Sequence, residues 1–198
     1  MQTAFLIAFS FHLCYTYTHY EERSAAMEWN DVYDADRQLT GKLHKRGTPW
    51  KKDEFGLVVC VWVYDGSGHL LLTRRAKGKS FAGTWENSGG AAQAGETSRQ
   101  AIARELFEET GIRAEEAAFE LIDTDRDRNN FYDFYCLKWP IHLKDIVLLP
   151  GETDGVQWVS YGKMNWMIRT GRICKIIARQ YKRQENLLKA RNPHKTEG

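Results

Sequence analysis

Three glutamates in one segment, Glu105, Glu108 and Glu109, have the spacing of side chains that share a helix face. Positions i, i+3 and i+4 lie on the same side of a helix with 3.6 residues per turn. Carboxylates gathered in this way repel one another, because like charges at this spacing destabilise a helix. A hard divalent cation with oxygen ligands removes the repulsion, and Mg²⁺ is the usual candidate. Arg104, four residues before Glu108, is placed to hold one of the carboxylates.

The glycines around these glutamates distinguish the segment from an ordinary acidic helix. On its own, a Glu-x-x-Glu-Glu sequence is typical of a solvated helix face. Here the pair Gly89-Gly90 precedes the cluster and allows a close backbone approach and unusual torsions. Gly95 makes the turn into the helix, and Gly111 ends it. Because the glycines and the more distant Glu96 occur at defined spacing from the cluster, the segment is more typical of a functional site than of a solvated helix face.

The segment 90–112 resembles the Nudix box, G-x5-E-x7-R-E-U-x-E-E-x-G-U, in which U is a bulky aliphatic residue. Every specified position is present, and the matching residues are Gly90, Glu96, Arg104, Glu105, Leu106, Glu108, Glu109, Gly111 and Ile112. The resemblance implies an α+β fold, a Nudix-type α/β/α sandwich with a mixed β-sheet, in which the box forms a loop-helix-loop. It also implies metal-assisted hydrolysis of a diphosphate linked to another moiety.

The resemblance further implies a set of metal ligands. Glu105 and Glu109 are the expected principal ligands, and Glu108 is expected as a third ligand or as the group that activates water. The Gly90 carbonyl is a further expected ligand. The expected cofactor is Mg²⁺, with Mn²⁺ as an alternative.

The catalytic assignments that follow from the resemblance are Glu108, Glu105, Arg104 and Glu152. Arg104 is expected to orient the acidic cluster, and Glu96 to anchor the loop. Some members of the family take the general base from a later loop, where this chain has Glu152 and Asp154. A solvated turn is the other interpretation of these two acids.

A basic stretch before the box is the candidate phosphate-binding region. It contains Arg74, Arg75, Lys77 and Lys79, of which we select Arg74, Arg75 and Lys79 as substrate-binding residues. Such side chains bind phosphate through charge-assisted hydrogen bonds, but a solvated basic edge is an equal alternative. The triplet His44-Lys45-Arg46 allows the same two interpretations.

Other short segments resemble the branch of the family near isopentenyl diphosphate isomerase. These are 31–34, 40–42, 44–47, 71–75 and 80–85. The isomerase needs an acid/base cysteine with a nearby histidine after the tryptophan, and the segment 85–92 has neither. We therefore expect a hydrolase acting on a nucleoside diphosphate derivative. The alternatives are isomerase-like activity and a non-catalytic nucleotide-binding Nudix module.

The elements that must position the box are short strands around one helix. We predict strands at 55–64, 69–74, 119–124, 131–137 and 156–159, a strand or loop at 85–92, and a hairpin from 31–33 and 42–45. The box helix is predicted at 97–110 and an amphipathic helix at 172–188. We expect residues 1–26 to be an apolar leader of uncertain status, either a non-native extension or an upstream start, and residues 27–198 to be a single domain with a C-terminal helix.

Composition excludes several classes of protein. The 198 residues are 42% hydrophobic and 27% charged with a net charge of +2, which argues against disorder and against a strongly basic nucleic-acid binder. No apolar run reaches the roughly 18 residues of a membrane span. Four scattered cysteines give no zinc pattern and need no oxidising compartment. We expect a cytoplasmic monomer or homodimer that binds a small-molecule diphosphate, with no nucleic-acid polymer and no membrane as partner.

Overall fold

The computed structural model of the protein describes residues 28–148 and 150–193. Its strands are β1 Trp29–Tyr33, β2 Leu39–Lys45, β3 Gly56–Tyr64, β4 His69–Arg75, β5 Trp85–Glu86, β6 Ser88–Ala91, β7 Glu120–Asp127, β8 Asn130–Lys138 and β9 Thr153–Ser160. Its helices are α1 Ser98–Thr110, α2 Tyr161–Arg169 and α3 Lys175–Arg191. The leader predicted at 1–26 lies outside the described residues, and the domain boundary at 27 stays a prediction.

The central sheet is mixed, as expected. Its strand order is β5-β4-β3-β8-β7, with β6 also paired to β3 and β9 also paired to β4. The pair β3–β8 is parallel, and the other pairs are antiparallel. The strands β1 and β2 form a separate antiparallel hairpin, as the sequence predicts.

Two apolar clusters on opposite faces of the sheet give the fold its three layers. On one face, Val59 and Val61 of β3 pack with Leu106 of α1. On the other face, Trp62 of β3 packs with side chains of α2 and α3, including Tyr181. Alternate residues of β3 therefore enter different layers, because successive strand side chains point to opposite faces. The predicted α/β/α sandwich is confirmed.

The helices agree with the sequence only in part. The box helix begins one residue later than predicted, because Thr97 is its N-cap. The C-terminal helix covers 175–191 rather than 172–188. The helix α2 was not predicted, since its nine residues are few for periodicity, although Ser160 supplies an N-cap that accepts from Lys163 N. Within the two described ranges, no helix is long and apolar enough to cross a membrane.

A buried amide joins α3 to the sheet. The Gln184 side chain is fully buried, and its Oε1 accepts a hydrogen bond from Trp62 Nε1 at 2.8 Å. Its Nε2 donates to Asp123 Oδ2 on β7 at 3.0 Å. Both ends of the amide are satisfied, which offsets the cost of removing it from water.

Replacing Gln184 with alanine should destabilise the protein strongly. The variant Gln184→Ala leaves a cavity and a buried Trp62 N–H without its acceptor, which together cost about 2–4 kcal/mol. Urea unfolding measures the change in the free energy of unfolding. The matched control is Leu187→Ala on the exposed side of the same helix, expected to cost less than about 1 kcal/mol. Equal losses in the two variants would contradict this role for Gln184.

Candidate active site

The box helix α1 is held at both ends by its own sequence. The Thr97 side chain accepts from Gln100 N, and the Gln100 Oε1 accepts from Thr97 N, which makes a capping box. Gly111 ends the helix in the left-handed region at φ 72°. This torsion strains residues with a Cβ, so glycine is required there.

The glycine pair before the helix provides space. A Cβ at Gly90 would overlap the Glu105 carboxylate, and a Cβ at Gly89 would lie 2.9 Å from Cys60 Cα and overlap the backbone of β3. Neither glycine is in the left-handed region. The expectation of close approach is confirmed, whereas the expectation of unusual torsions at this pair is wrong, because β6 is regular strand paired with β3.

Arg104 joins the acidic residues of the box. Its Nε and Nη2 donate to the two oxygens of Glu96 at 2.7 and 2.9 Å. Its Nη1 donates to Glu105 Oε1 at 2.9 Å and to Glu108 Oε2 at 3.1 Å. Nη2 also donates to the Ala91 carbonyl. One guanidinium therefore connects the loop, strand β6 and two carboxylates of the helix, as its predicted orienting role requires.

The loop between β6 and α1 is fixed from both sides. Glu96 Oε2 accepts from Gln93 N at 2.8 Å within the loop. From the hairpin, Asn30 Nδ2 donates to the Ala92 carbonyl, and Asp31 Oδ2 accepts from Gly95 N at 2.7 Å. Sequence reasoning predicted the hairpin but missed its contribution to the site, because this contact joins residues more than 60 positions apart.

Two box carboxylates, the buried Glu109 and the partly buried Glu105, lie in an environment that disfavours their charge. Burial, followed by the charge of Glu108, raises the pKa of Glu105 to about 7, although Arg104 opposes the shift. Burial and the charges of Glu86 and Glu105 raise the pKa of Glu109 well above its usual value. Glu109 is 8% exposed, and its Oε2 has no hydrogen-bond partner in the described chain. In the part of the chain that the structure describes, no cation forms an ion pair with this carboxylate.

Two residues that sequence reasoning missed lie beside Glu109. Ser88 hydrogen-bonds to it from the segment between Trp85 and the glycine pair. Glu86 of β5 is buried, and its charge acts on Glu109. The sequence signal that could have identified Glu86 is a glutamate inside a short strand. A carboxylate buried in a strand is rare without a partner, so such a residue indicates a paired charge. That partner is Arg75, whose Nη1 lies 2.6 Å from Glu86 Oε1.

Two further acids lie near the basic stretch where the chain enters β9, Glu152 just before the strand and Asp154 as its second residue. Glu152 forms an ion pair with Lys79, and its charge contributes to the raised pKa of Glu109. Asp154 pairs with Arg74 at 2.6 Å. Thr153 Oγ1 donates to the backbone carbonyl of Glu109 at 3.0 Å, which fastens the start of β9 to the box helix.

The three residues of the basic triplet 44–46 have different surroundings in the structure. His44 is buried and stacks on Trp50 with 3.6 Å between ring centroids, which is a packing role. Lys45 is exposed. Arg46 pairs with Glu28, and its charge lowers the pKa of Glu105. Of the three, Arg46 is the residue that acts on the box.

In the residues that the structure describes, no three side chains of His, Cys, Asp or Glu are already arranged as a metal cage. Arg104 holds Glu105 and Glu108, and Glu109 faces them without a partner on Oε2. Mg²⁺ usually binds through one or two carboxylates, waters and substrate phosphates, and needs no such cage. The buried Glu109 oxygen and the hard oxygen donors beside it fit a cation of this kind.

Cys60 lies beside the segment in which the isomerases have their acid/base cysteine. A Cβ at Gly89 would lie 3.2 Å from its Sγ. The thiol is buried, and burial raises its pKa above the usual value of a thiol. It is therefore a protonated core residue and does not replace the missing acid/base group.

Comparison with known sequences gives the family. A family model described as "NUDIX domain" matches residues 54–175. An uncharacterized Nudix hydrolase of Listeria monocytogenes is 30% identical over 146 residues, which cover 73% of this chain and 86% of that protein. An isopentenyl-diphosphate Delta-isomerase of Klebsiella pneumoniae is 34% identical over 89 residues, which cover 44% of this chain and 48% of that protein. The isomerase match is partial and suggests that branch only weakly.

Solved structures share the fold. A crystal structure from Deinococcus radiodurans has a TM-score of 0.67 at 22% identity and covers 79% of this chain and 98% of that chain. A bifunctional NMN adenylyltransferase/ADP ribose pyrophosphatase of Francisella tularensis, complexed with AMP and Mn ion, has a TM-score of 0.55 at 23% identity and covers 71% and 43%. With the complete box, the family match and the Listeria relative, the chain belongs to the Nudix family and is a hydrolase of phosphoric anhydride bonds.

Proposed function

We propose that this enzyme hydrolyses a diphosphate linked to another moiety, that its substrate is a nucleoside diphosphate derivative, and that it requires Mg²⁺, which Mn²⁺ can replace. The observation that carries the proposal is the buried Glu109 carboxylate, whose Oε2 has no partner among the described residues. A buried charge without a partner is costly. A divalent cation held by this carboxylate and Glu105 would remove the cost.

The box residues divide the work. Glu105 and Glu109 hold the cation, with Glu108 and the Gly90 carbonyl as further ligands. When bound, the cation supplies charge neutralisation at the phosphate oxygens and makes a water more acidic. Arg104 keeps Glu105 and Glu108 at fixed positions through its hydrogen bonds at 2.9 and 3.1 Å.

The proton of the attacking water needs an acceptor. Glu108 and Glu152 are the candidates, since both side chains are partly exposed, at 27% and 29%. Glu152 acts electrostatically on Glu109, which supports its place beside the reacting group. Asp154 is the weaker candidate, because its described contacts join it to Arg74 and, unlike those of Glu152, do not connect it to Glu109.

The substrate phosphates bind at the basic stretch, to Arg74, Arg75 and Lys79. Each of these cations is paired with an acid beside the box, which holds it near the cluster. The ADP ribose pyrophosphatase named above, with the same fold and a bound AMP and Mn ion, supports a nucleoside diphosphate derivative as substrate. The proposal includes a cytoplasmic enzyme, active as a monomer or homodimer, from the hydrolase members of the isomerase-like branch.

The two alternatives lack support from the site. A non-catalytic module would be expected to lose box carboxylates, and this box is complete. Isomerase activity needs an acid/base thiol, and Cys60 is buried with a raised pKa. Hydrolysis therefore agrees best with the residues present.

A substrate panel in which the products are identified by chromatography tests the proposal directly, because hydrolysis of a diphosphate that links two moieties gives two phosphomonoesters and no inorganic phosphate. Nucleoside diphosphates, nucleotide sugars, dinucleoside polyphosphates and isopentenyl diphosphate are incubated with the enzyme, with and without Mg²⁺. We expect Mg²⁺-dependent hydrolysis of at least one nucleoside diphosphate derivative and no isomerisation of isopentenyl diphosphate. Absence of metal-dependent turnover across the panel would refute the proposed function.

Neutralising Glu109 should remove activity but not the fold. The variant Glu109→Gln keeps the shape of the side chain and loses a ligand charge, so turnover should fall about 100-fold or more. The cation-free variant should melt at the same or a higher temperature, because a buried carboxylate without a compensating charge is gone. The control is Glu115→Gln, an exposed side chain, which should leave both quantities unchanged. An unchanged turnover rate in Glu109→Gln would remove Glu109 from the metal site.

Cation binding should weaken as the pH falls. The pKa of Glu105 in the cation-free fold is raised to about 7, so this carboxyl is protonated at pH 6 and ionised at pH 8. Binding must displace that proton, which makes the Mn²⁺ dissociation constant about tenfold larger at pH 6 than at pH 8. The raised pKa of Glu109 steepens the dependence. A calorimetric titration that gives the same constant at both pH values would contradict this linkage.

A further inference from the structure

Glu86 lies outside the Nudix box but contacts the residues around it. It is buried in β5, where it pairs in register with Thr73 of β4. Both of its carboxylate oxygens accept from one nitrogen, Arg75 Nη1, at 2.6 and 2.8 Å. Burial raises the pKa of Glu86, and Arg75 opposes that shift. The partner of this buried carboxylate is therefore a side chain of the proposed phosphate-binding stretch.

The Arg75 guanidinium is fixed on two sides and open on the third. Its Nε donates to the Ser80 carbonyl, and its Nη1 donates to Glu86. Its Nη2 makes no hydrogen bond within the described residues, and the side chain is 25% exposed. A planar guanidinium held in this way presents one donor nitrogen in a defined direction.

The Glu86–Arg75 pair lies between the box and the loop before β9. The charge of Glu86 acts on Glu109, and the charges of Lys79 and Glu152 act on Glu86. Arg74 lacks this environment, because its partner Asp154 has a 39% exposed side chain. A salt bridge to an exposed acid orients a guanidinium only loosely.

We propose that Glu86 is a positioning residue, which locks the Arg75 guanidinium so that Nη2 donates to a phosphate oxygen of the diphosphate beside the box carboxylates. This inference rests on the proposed function. Fixing the guanidinium before binding lowers the entropy lost when the phosphate arrives. It also forms a charge-assisted hydrogen bond in one geometry, which a freely moving arginine does not provide.

Binding of inorganic pyrophosphate at saturating Mg²⁺ tests the proposal without turnover. The full chain is compared with Glu86→Gln, Glu86→Asp, Arg75→Ala and the double variant Arg75→Ala/Glu86→Gln. We expect Glu86→Gln to weaken pyrophosphate binding about tenfold, because a neutral amide holds the guanidinium less firmly. Glu86→Asp, which keeps the charge, should recover part of the affinity. The double variant should bind no more weakly than Arg75→Ala, since Glu86 acts through Arg75.

A second measurement separates positioning from direct ligation. Mn²⁺ binding in the absence of phosphate should weaken much less than pyrophosphate binding in Glu86→Gln, because the box carboxylates are intact and Arg75 already compensates most of the charge of Glu86. The matched control is Asp127→Asn, which removes the acid of an arginine pair 2.8 Å long between β7 and α3 and should alter neither binding constant.

Three results would overturn the positioning role. The first is that the losses of pyrophosphate affinity in Arg75→Ala and Glu86→Gln are additive. The second is a loss of Mn²⁺ affinity in Glu86→Gln as large as the loss of pyrophosphate affinity. The third is that the unsubstituted chain does not bind pyrophosphate with Mg²⁺. Failure of the proposed function is distinct from these. It appears as normal pyrophosphate binding with no metal-dependent turnover across the substrate panel.

Discussion

The site depends on the hydrogen bonds by which the Arg104 guanidinium holds several carboxylates close together. This guanidinium donates to Glu96, Glu105, Glu108 and the Ala91 carbonyl, and so uses donors in several directions at once. A lysine, with one compact ammonium group, could not bridge the loop, the strand and the helix in this way. The carboxylates stay close together because the positive charge between them is fixed and partly shielded from water.

The scaffold serves mainly to keep this group of charges rigid. The helix α1 packs through Leu106 on one face of the sheet, and β6 packs through backbone pairing with β3. Their close approach is possible because Gly90 leaves room for the Glu105 carboxylate. The hairpin adds Asn30 and Asp31 as hydrogen-bond partners of the loop. The flanking elements β6 and α1 and the hairpin, which is distant in sequence, thus fix one loop.

Arg104 does not neutralise every acid, and this imbalance prepares the site for a cation. Glu109 has a buried oxygen without a hydrogen-bond partner in the described chain, and the charge of nearby Glu86 is compensated by Arg75. Burial raises the pKa of both carboxylates in the cation-free fold. The buried carboxylates therefore make the cation-free fold less stable at this point, but they also attract a cation strongly. Active sites commonly combine these two properties.

The sequence by itself determined the family, the box helix, the mixed α+β class and the acids that gather on α1, because these follow from local spacing and helix periodicity. It also predicted the hairpin and most strands, but it missed α2, whose nine residues carry little periodic signal. Only the tertiary structure decided that Glu86 pairs with Arg75 beside Glu109, and that the hairpin fastens the box loop. It also decided that His44 packs on Trp50, whereas the charge of Arg46 acts on Glu105. Those contacts join residues distant in the chain, and burial and charge compensation depend on neighbours that spacing does not reveal.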